Sequence, residues 1–152
     1  MRQLILSIFI LALSYKGHSG QILNGDALLT RDTIPGQLLG QFTDDYGIQY
    51  SITDTLWIQQ PNVKYHIIRW DWKEGFILAR NDNANPSEAG KYTRIDYLML
   101  PDMQPWSWGF CLSVYDATSL ELAEKTYAAD KANPRKGCNG FPFSRMKPAP
   151  SK

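Results

Sequence analysis

The feature that most constrains the fold of this chain is a β-forming run that ends in the segment Lys73-Glu74-Gly75. Residues 65–72 are rich in aromatic and β-branched residues and contain neither glycine nor proline. Because glycine adopts positive φ angles without steric cost, the segment after this run predicts a three-residue hairpin turn. The predicted register places Trp72 opposite Phe76, Trp70 opposite Leu78, Ile68 opposite Arg80 and His66 opposite Asp82. One face of the hairpin is then apolar near the turn and polar at its far end.

The amino terminus has the layout of a secretory signal peptide. An apolar stretch over residues 4–13 follows Arg2, and Gly17-His18-Ser19 resembles a small-x-small cleavage site. The stretch is too short to span a bilayer. No cysteine lies near the cleavage site, so a lipid anchor is not expected. We therefore expect residues 1–19 to be a signal peptide and the protein to be secreted or periplasmic.

The remainder of the chain divides into three parts. Residues 20–39 predict an N-terminal arm, residues 40–146 a single β-barrel-like domain, and residues 147–152 a disordered tail. Thr118 and Glu121 have the spacing of a capping box, which predicts a helix over residues 119–131.

The strand patterns indicate the fold class. Ile48, Tyr50 and Ile52 alternate with polar residues, as is typical of a strand with one buried face. Residues 91–100 and 106–116 predict two further strands, and the chain as a whole predicts six or seven. We predict an all-β fold with one C-terminal helix, in which an antiparallel meander forms a small barrel or a sandwich.

Cysteine usage and charge limit the chemistry. Cys111 and Cys138 are the two cysteines of the chain, and an even number in an exported protein predicts a disulfide. No cluster of histidine and cysteine has the spacing of a metal site, so neither a metal nor a cofactor is expected. The chain carries 16 basic and 15 acidic residues, and this near balance indicates neither nucleic acid nor a membrane as partner.

The order of these elements resembles the lipocalins and the wider calycin group. Several antiparallel strands are followed by one helix and then by a cysteine-containing tail that bonds back to a strand. Gly40-Gln41-Phe42 lies roughly where that family has an opening Gly-x-Trp, with Phe42 in place of the tryptophan. The resemblance covers the layout of residues 40–143, and it implies an apolar cavity that receives a small ligand.

The predicted hairpin brings His66, Arg80 and Asp82 together where its apolar face ends. An imidazole, a guanidinium and a carboxylate can orient a polar ligand head over a wall formed by Trp70 and Trp72. The same trio can instead form an ion-pair network that closes one end of a barrel. Both interpretations stay open.

Arg94 and Asp96 share one face of the strand over residues 91–100. If Ile95, Tyr97 and Met99 face the core, the two charges lie in solvent. If the opposite face is inside, the charges join the polar cluster and complete a charged ligand pocket. A one-residue slip or a bulge exchanges the faces, so the sequence leaves both alternatives open.

The favoured function is a secreted binding protein for a small apolar or amphipathic molecule, or for a sugar. The alternative is a structural or protein-interaction module without a cavity, in which Trp57, Trp106 or Trp108 stacks on sugar rings. An enzyme is disfavoured, because a Ser-His-Asp set can use only His66 and no serine lies in a nucleophile elbow.

Overall fold

The computed structural model describes residues 34–150 of the chain. The predicted signal peptide, residues 1–19, and most of the predicted arm, residues 20–39, lie outside the described residues. Within residues 34–150, no helix has both the length and the apolar character needed to cross a bilayer.

Eight antiparallel strands form a closed barrel, in which each strand pairs with the next and the last pairs with the first. The strands are β1 (Gly40–Asp44), β2 (Gln49–Ile52), β3 (Leu56–Gln59), β4 (Val63–Asp71), β5 (Phe76–Asn81), β6 (Tyr92–Met99), β7 (Trp108–Ala117) and β8 (Ser144–Pro148). A 3-10 helix, Gly36–Leu38, precedes β1, and one α-helix, α1 (Leu120–Lys125), lies between β7 and β8. The predicted all-β class with one C-terminal helix is confirmed, and the architecture is a barrel.

The strand that closes the barrel is β8, which the sequence pattern did not indicate. Met146 of β8 pairs with Trp108 of β7 and with Asp44 of β1. It is also the only residue of β8 that is fully buried, so this strand carries almost no apolar periodicity. Lys147 and Pro148 belong to β8, so the prediction that these two residues are part of a disordered tail is wrong.

The helix α1 is shorter than the predicted 119–131. Its N-cap is Ser119 and not Thr118 of the predicted capping box, and the Ser119 hydroxyl accepts a hydrogen bond from the Leu122 amide at 3.2 Å. After Lys125 the chain leaves the helical path, and the Ala129 amide donates to Asp96 of β6 at 3.2 Å. The Ala129 amide is therefore bonded to the barrel, whereas in a helix extending to residue 131 it would donate to a carbonyl of the preceding turn.

The β4–β5 hairpin forms, but the predicted register is wrong. Asp71 pairs with Phe76, so the turn contains four residues instead of three, although Gly75 has the predicted positive φ, at 67°. A bulge in the middle of β4 shifts the pairing again, and His66 lies opposite Arg80. Neither the longer turn nor the bulge has a distinct signature in the local sequence.

Aromatic side chains fill the barrel interior. The Trp57 and Trp108 rings lie 5.9 Å apart, edge to face, and Phe110 contacts both. Since each of these tryptophans is only 1% exposed, neither can stack on a sugar in solution, contrary to the sequence-based alternative. Trp106 is partly buried under Arg145. The buried interior cluster consists of Leu38, Phe42, Tyr50, Ile52, Trp57, Tyr65, Ile77, Ala79, Ile95, Tyr97, Trp108, Phe110 and Met146.

A second layer covers part of the outer barrel wall. Ala123 of α1 packs against Phe76 and Leu78, which point outward from β5. The predicted Cys111–Cys138 disulfide is confirmed, and it fastens the segment after α1 to β7. The outer faces of β5, β6 and β7 are therefore partly buried, although they lie outside the barrel.

Candidate functional site

Three of the predicted site residues meet on the outer rim of the barrel. His66 Nε2 lies 2.6 Å from Asp82 Oδ2, and Arg80 is the cross-strand neighbour of His66. With two neighbouring asparagines they line a depression of about 150 Å³. Hydrogen bonds from the Ala84 amide and from His66 hold the pKa of Asp82 below its ordinary value. The structure brings the trio together, and its role in ligand binding stays a prediction.

Trp70 and Trp72 lie at the other end of the hairpin and do not form a wall beside this trio. The Trp70 ring enters the barrel interior, and its indole N–H donates to the Asp54 carbonyl at 2.7 Å. Trp72 belongs to the turn and is 39% exposed. The longer turn and the bulge in β4 separate these rings from the polar residues, so the predicted aromatic wall is absent around His66.

Arg94 and Asp96 form a buried ion pair outside the barrel wall. Ile95 and Tyr97 face the interior, as one sequence-based alternative holds. The expectation that the charges then lie in solvent is wrong, because α1 and the segment after it cover them. Arg94 donates to Asp96 through Nε and Nη2, at 2.9 and 3.0 Å, and its Nη1 donates to the Glu124 carbonyl of α1 at 2.8 Å.

Asp96 also accepts hydrogen bonds from Ser113 of β7 and from Ala129, and it forms an ion pair with Lys131. The Ser113 hydroxyl lies 2.5 Å away, the Ala129 amide 3.2 Å and Lys131 Nζ 3.3 Å. Burial alone raises the pKa of Asp96, but the hydrogen bonds from Arg94, Ser113 and Ala129 outweigh it and hold the pKa below its ordinary value. This cluster therefore fastens the outer layer to the barrel.

Two adjoining cavities open at the barrel end where β1, β3 and β5 finish, which we call the mouth. Their volumes are about 280 and 340 Å³, and both include Gln59 and Leu112, so these side chains lie between them. Arg94 and Asp96 line neither cavity. The first cavity is also lined by Val63, Tyr65, Asn81, Asn85, Ser87, Glu88 and Tyr115. The second is also lined by Asp44, Tyr46, Ile48, Tyr50, Phe110, Cys111, Cys138, Phe141, Pro142 and Ser144.

Two buried asparagines hold the long β5–β6 loop against the mouth. Asn81 donates through Nδ2 to the Glu88 and Tyr115 carbonyls, both at 2.9 Å. Asn85 accepts from the Lys64 amide and donates to the Lys64 carbonyl, both at 2.8 Å. Because both side-chain amides are committed to backbone partners, the first cavity has a preorganised wall.

Asp44 orders the opposite side of the mouth. Its carboxylate accepts from the Tyr46 and Ile48 amides at 3.0 and 2.8 Å, and from the Tyr50 hydroxyl at 2.9 Å. Burial and then the adjacent carboxylate raise the pKa of Tyr50 far above its ordinary value. The Tyr50 hydroxyl is thus a neutral donor, and its ring forms part of the floor of the second cavity.

Several polar side chains in the first cavity are available to a ligand, and two of them adjoin its apolar residues. Among residues 34–150, the Gln59 side-chain amide and the Tyr65 hydroxyl have no protein hydrogen-bond partner, and both line the cavity beside Val63 and Leu112. Burial raises the pKa of Tyr65, so its hydroxyl is neutral. Val63 and Leu112 thus supply the aliphatic part of a cavity whose other lining residues are polar or tyrosine, and such polar groups can orient a small molecule.

The sequence-based prediction missed the residues of the mouth. Val63, Tyr65 and Ile67 do alternate along β4, and this alternation was the available signal for an inward face. It was overridden by the predicted hairpin register, which assigned the ligand face to His66 and Trp70 instead. Gln59 and Leu112 are far apart in sequence, and only barrel closure places them together.

Comparisons with known proteins do not assign the site. No protein-family model, curated protein or solved structure matches this chain. Within the described part of the chain, no group of three or more His, Cys, Asp or Glu residues is placed to hold a metal ion. The function is therefore argued from the geometry of the barrel and its mouth.

Proposed function

We propose that this chain is a secreted small-ligand-binding β-barrel of lipocalin-like layout, which binds a neutral amphipathic molecule or a small sugar at its mouth. The observation that carries this proposal is the pair of adjoining cavities around Gln59 and Leu112, in which unpaired polar groups lie beside aliphatic and aromatic side chains. The closed barrel, the single helix and the disulfide-linked segment support the lipocalin-like layout.

The volume of the mouth cavities limits the size of the ligand and how deeply it can enter the barrel. Ligand pockets commonly measure about 300–1,000 Å³, and each mouth cavity is near the lower end of that range, at about 280 and 340 Å³. Trp57 and Phe110 occupy the barrel below. The ligand therefore rests on this aromatic floor at the mouth and does not enter the barrel centre.

The charges around the mouth favour a neutral ligand. Glu88 borders the first cavity and Asp44 the second, whereas no Lys, Arg or His within residues 34–150 lines either one. An anion placed there would meet carboxylates without a compensating cation. Gln59 and Tyr65 can both donate and accept hydrogen bonds, which suits hydroxyl and carbonyl groups on the ligand.

Binding of the neutral fluorophore N-phenyl-1-naphthylamine, together with mass spectrometry of co-purified molecules, tests the proposal. Leu112→Trp should fill the space between the two cavities and weaken probe binding at least tenfold. Leu122→Trp is the matched control, because Leu122 lies on α1 and is 49% exposed. Gln59→Leu should release any co-purified polar ligand while leaving the barrel folded, as judged by circular dichroism. Equal probe binding by the two tryptophan variants, with no co-purified molecule, contradicts the proposal.

A further inference from the structure

Another concavity lies on the outer face of the barrel and adjoins the second mouth cavity, with which it shares Tyr46 and Pro142. It has a volume of about 700 Å³ and crosses the region where β8 joins β7 and β1. We call it the arginine groove, and its lining residues are Asp45, Tyr46, Leu100, Met103, Pro134, Arg135, Pro142, Phe143 and Arg145.

The floor of the arginine groove is apolar and well packed. Leu100 and Phe143 are 9% and 3% exposed, and the more exposed Met103 and Tyr46 stand at the sides. Gly109 of β7 allows this floor to form, because a Cβ atom there would lie only 3.2 Å from the Ser144 carbonyl oxygen. The floor therefore offers a fixed apolar surface to a ligand.

The arginine groove also carries guanidinium groups with free donors. Arg145 donates through Nε to Asp45 at 2.9 Å and lies over the Trp106 ring at 5.1 Å, so its orientation is held from two sides. Its two terminal nitrogens have no hydrogen-bond partner among the described residues. Arg135 is exposed and has neither a hydrogen bond nor an ion pair within residues 34–150. The charge of Arg145 is thus partly neutralised by Asp45, whereas no described residue neutralises the charge of Arg135.

We propose that the arginine groove binds a free amphipathic organic anion, a carboxylate attached to an apolar chain. A carboxylate matches the paired donors of a guanidinium, and Arg135 supplies the uncompensated charge. The apolar chain lies on Leu100 and Phe143. Among the described residues, no basic side chain lines the mouth cavities, so the arginine groove takes a different class of ligand although it adjoins the second cavity. A concavity of about 700 Å³ encloses a dissolved molecule better than it fits the flat surface of a bilayer.

Calorimetric titration with decanoate tests this assignment. Arg135→Gln should weaken decanoate binding at least tenfold, because it removes a charge-assisted contact. Lys136→Gln, at an exposed neighbour that does not line the groove, should leave affinity unchanged. Arg145 is left intact because its Asp45 pair contributes to the β1–β8 contact. Decanol should bind wild type at least tenfold more weakly than decanoate, and this difference should become smaller in Arg135→Gln, in which Arg145 remains.

Two further measurements distinguish binding in the arginine groove from binding elsewhere on the protein. In NMR spectra, decanoate should shift the side-chain Nε–Hε signals of Arg135 and Arg145, and Leu112→Trp should bind decanoate like the wild type. Equal affinity for decanoate and decanol, or equal loss in Arg135→Gln and Lys136→Gln, overturns the proposal. Binding to phosphatidylglycerol vesicles or to an acidic peptide without binding of decanoate also overturns it, since the occupant is then a membrane or a protein segment.

Discussion

Replacement of Asp96 by asparagine tests how the outer layer is held to the barrel. Asp96 is fully buried and accepts from Arg94 twice, from Ser113 and from Ala129. Asparagine keeps the shape and one acceptor oxygen, but it removes the charge and turns an NH₂ group toward these donors. Removing one partner of a buried ion pair costs about 3–5 kcal/mol, because the other charge stays buried without compensation. We expect Asp96→Asn to lower the free energy of unfolding near neutral pH by that amount.

The size of this effect should depend on pH. The folded-state pKa of Asp96 lies below its ordinary value, whereas an unfolded aspartate titrates at about 3.9. Such a group stabilises the fold above the unfolded pKa, and the contribution is lost as pH falls through the folded-state pKa. Asparagine does not titrate in this range, so the stability gap between wild type and variant should shrink below about pH 4.

Urea denaturation followed by tryptophan fluorescence and circular dichroism measures both effects. The unfolding free energies are compared near neutrality and at about pH 3, which lie above and below the unfolded-state pKa of aspartate. Asp102→Asn is the control, because Asp102 is exposed, and it should change stability by no more than about 0.5 kcal/mol. The reasoning is refuted if Asp96→Asn is as stable as Asp102→Asn near neutrality, or if the gap is independent of pH.

Three further changes test the local structure. Replacing Cys111 and Cys138 with serine should lower the free energy of unfolding by roughly 3–4 kcal/mol, while the strand signal in circular dichroism persists. Free thiols in the unreduced, denatured wild type would contradict the disulfide. Gly75→Val should lower the free energy of unfolding by about 1 kcal/mol or more, because φ is +67° and a Cβ would lie 3.0 Å from the Tyr97 carbonyl oxygen. An unchanged midpoint of chemical denaturation would argue against this turn. Asn81→Leu should cost about 1–3 kcal/mol and speed amide hydrogen exchange in the β5–β6 loop, and unchanged exchange would show that this amide does not hold the loop.

Local patterns predicted the elements of the fold well. The alternation of Ile48, Tyr50 and Ile52 correctly indicated a strand, because period-two burial follows from strand geometry alone. Gly75 correctly indicated a positive φ, because that preference belongs to glycine itself. The disulfide followed from the pair of cysteines in a chain that looks exported.

The candidate site was predicted less well because it depends on register. The predicted register placed Trp70 and Arg80 on the same face of the hairpin, whereas a four-residue turn and a bulge in β4 place Trp70 inside the barrel and Arg80 on the outer rim. A shift of one residue reverses which face each side chain occupies. His66 and Asp82 nevertheless meet, through the β5–β6 loop, at a distance of 2.6 Å.

The sequence by itself determined what depends on neighbouring residues: most of the strands, the positive φ of Gly75, the approximate start of the helix and the cysteine pair. The tertiary structure decided what depends on residues distant in sequence. The weakly apolar β8 closes the barrel because its backbone pairs with the edges of β7 and β1, whose backbone N–H and C=O groups would otherwise be unpaired. The tertiary structure also buried Arg94 and Asp96 beneath α1, and it brought Gln59 of β3 beside Leu112 of β7 at the mouth. Burial and cavity shape arise from such long-range packing, so no local pattern encodes them.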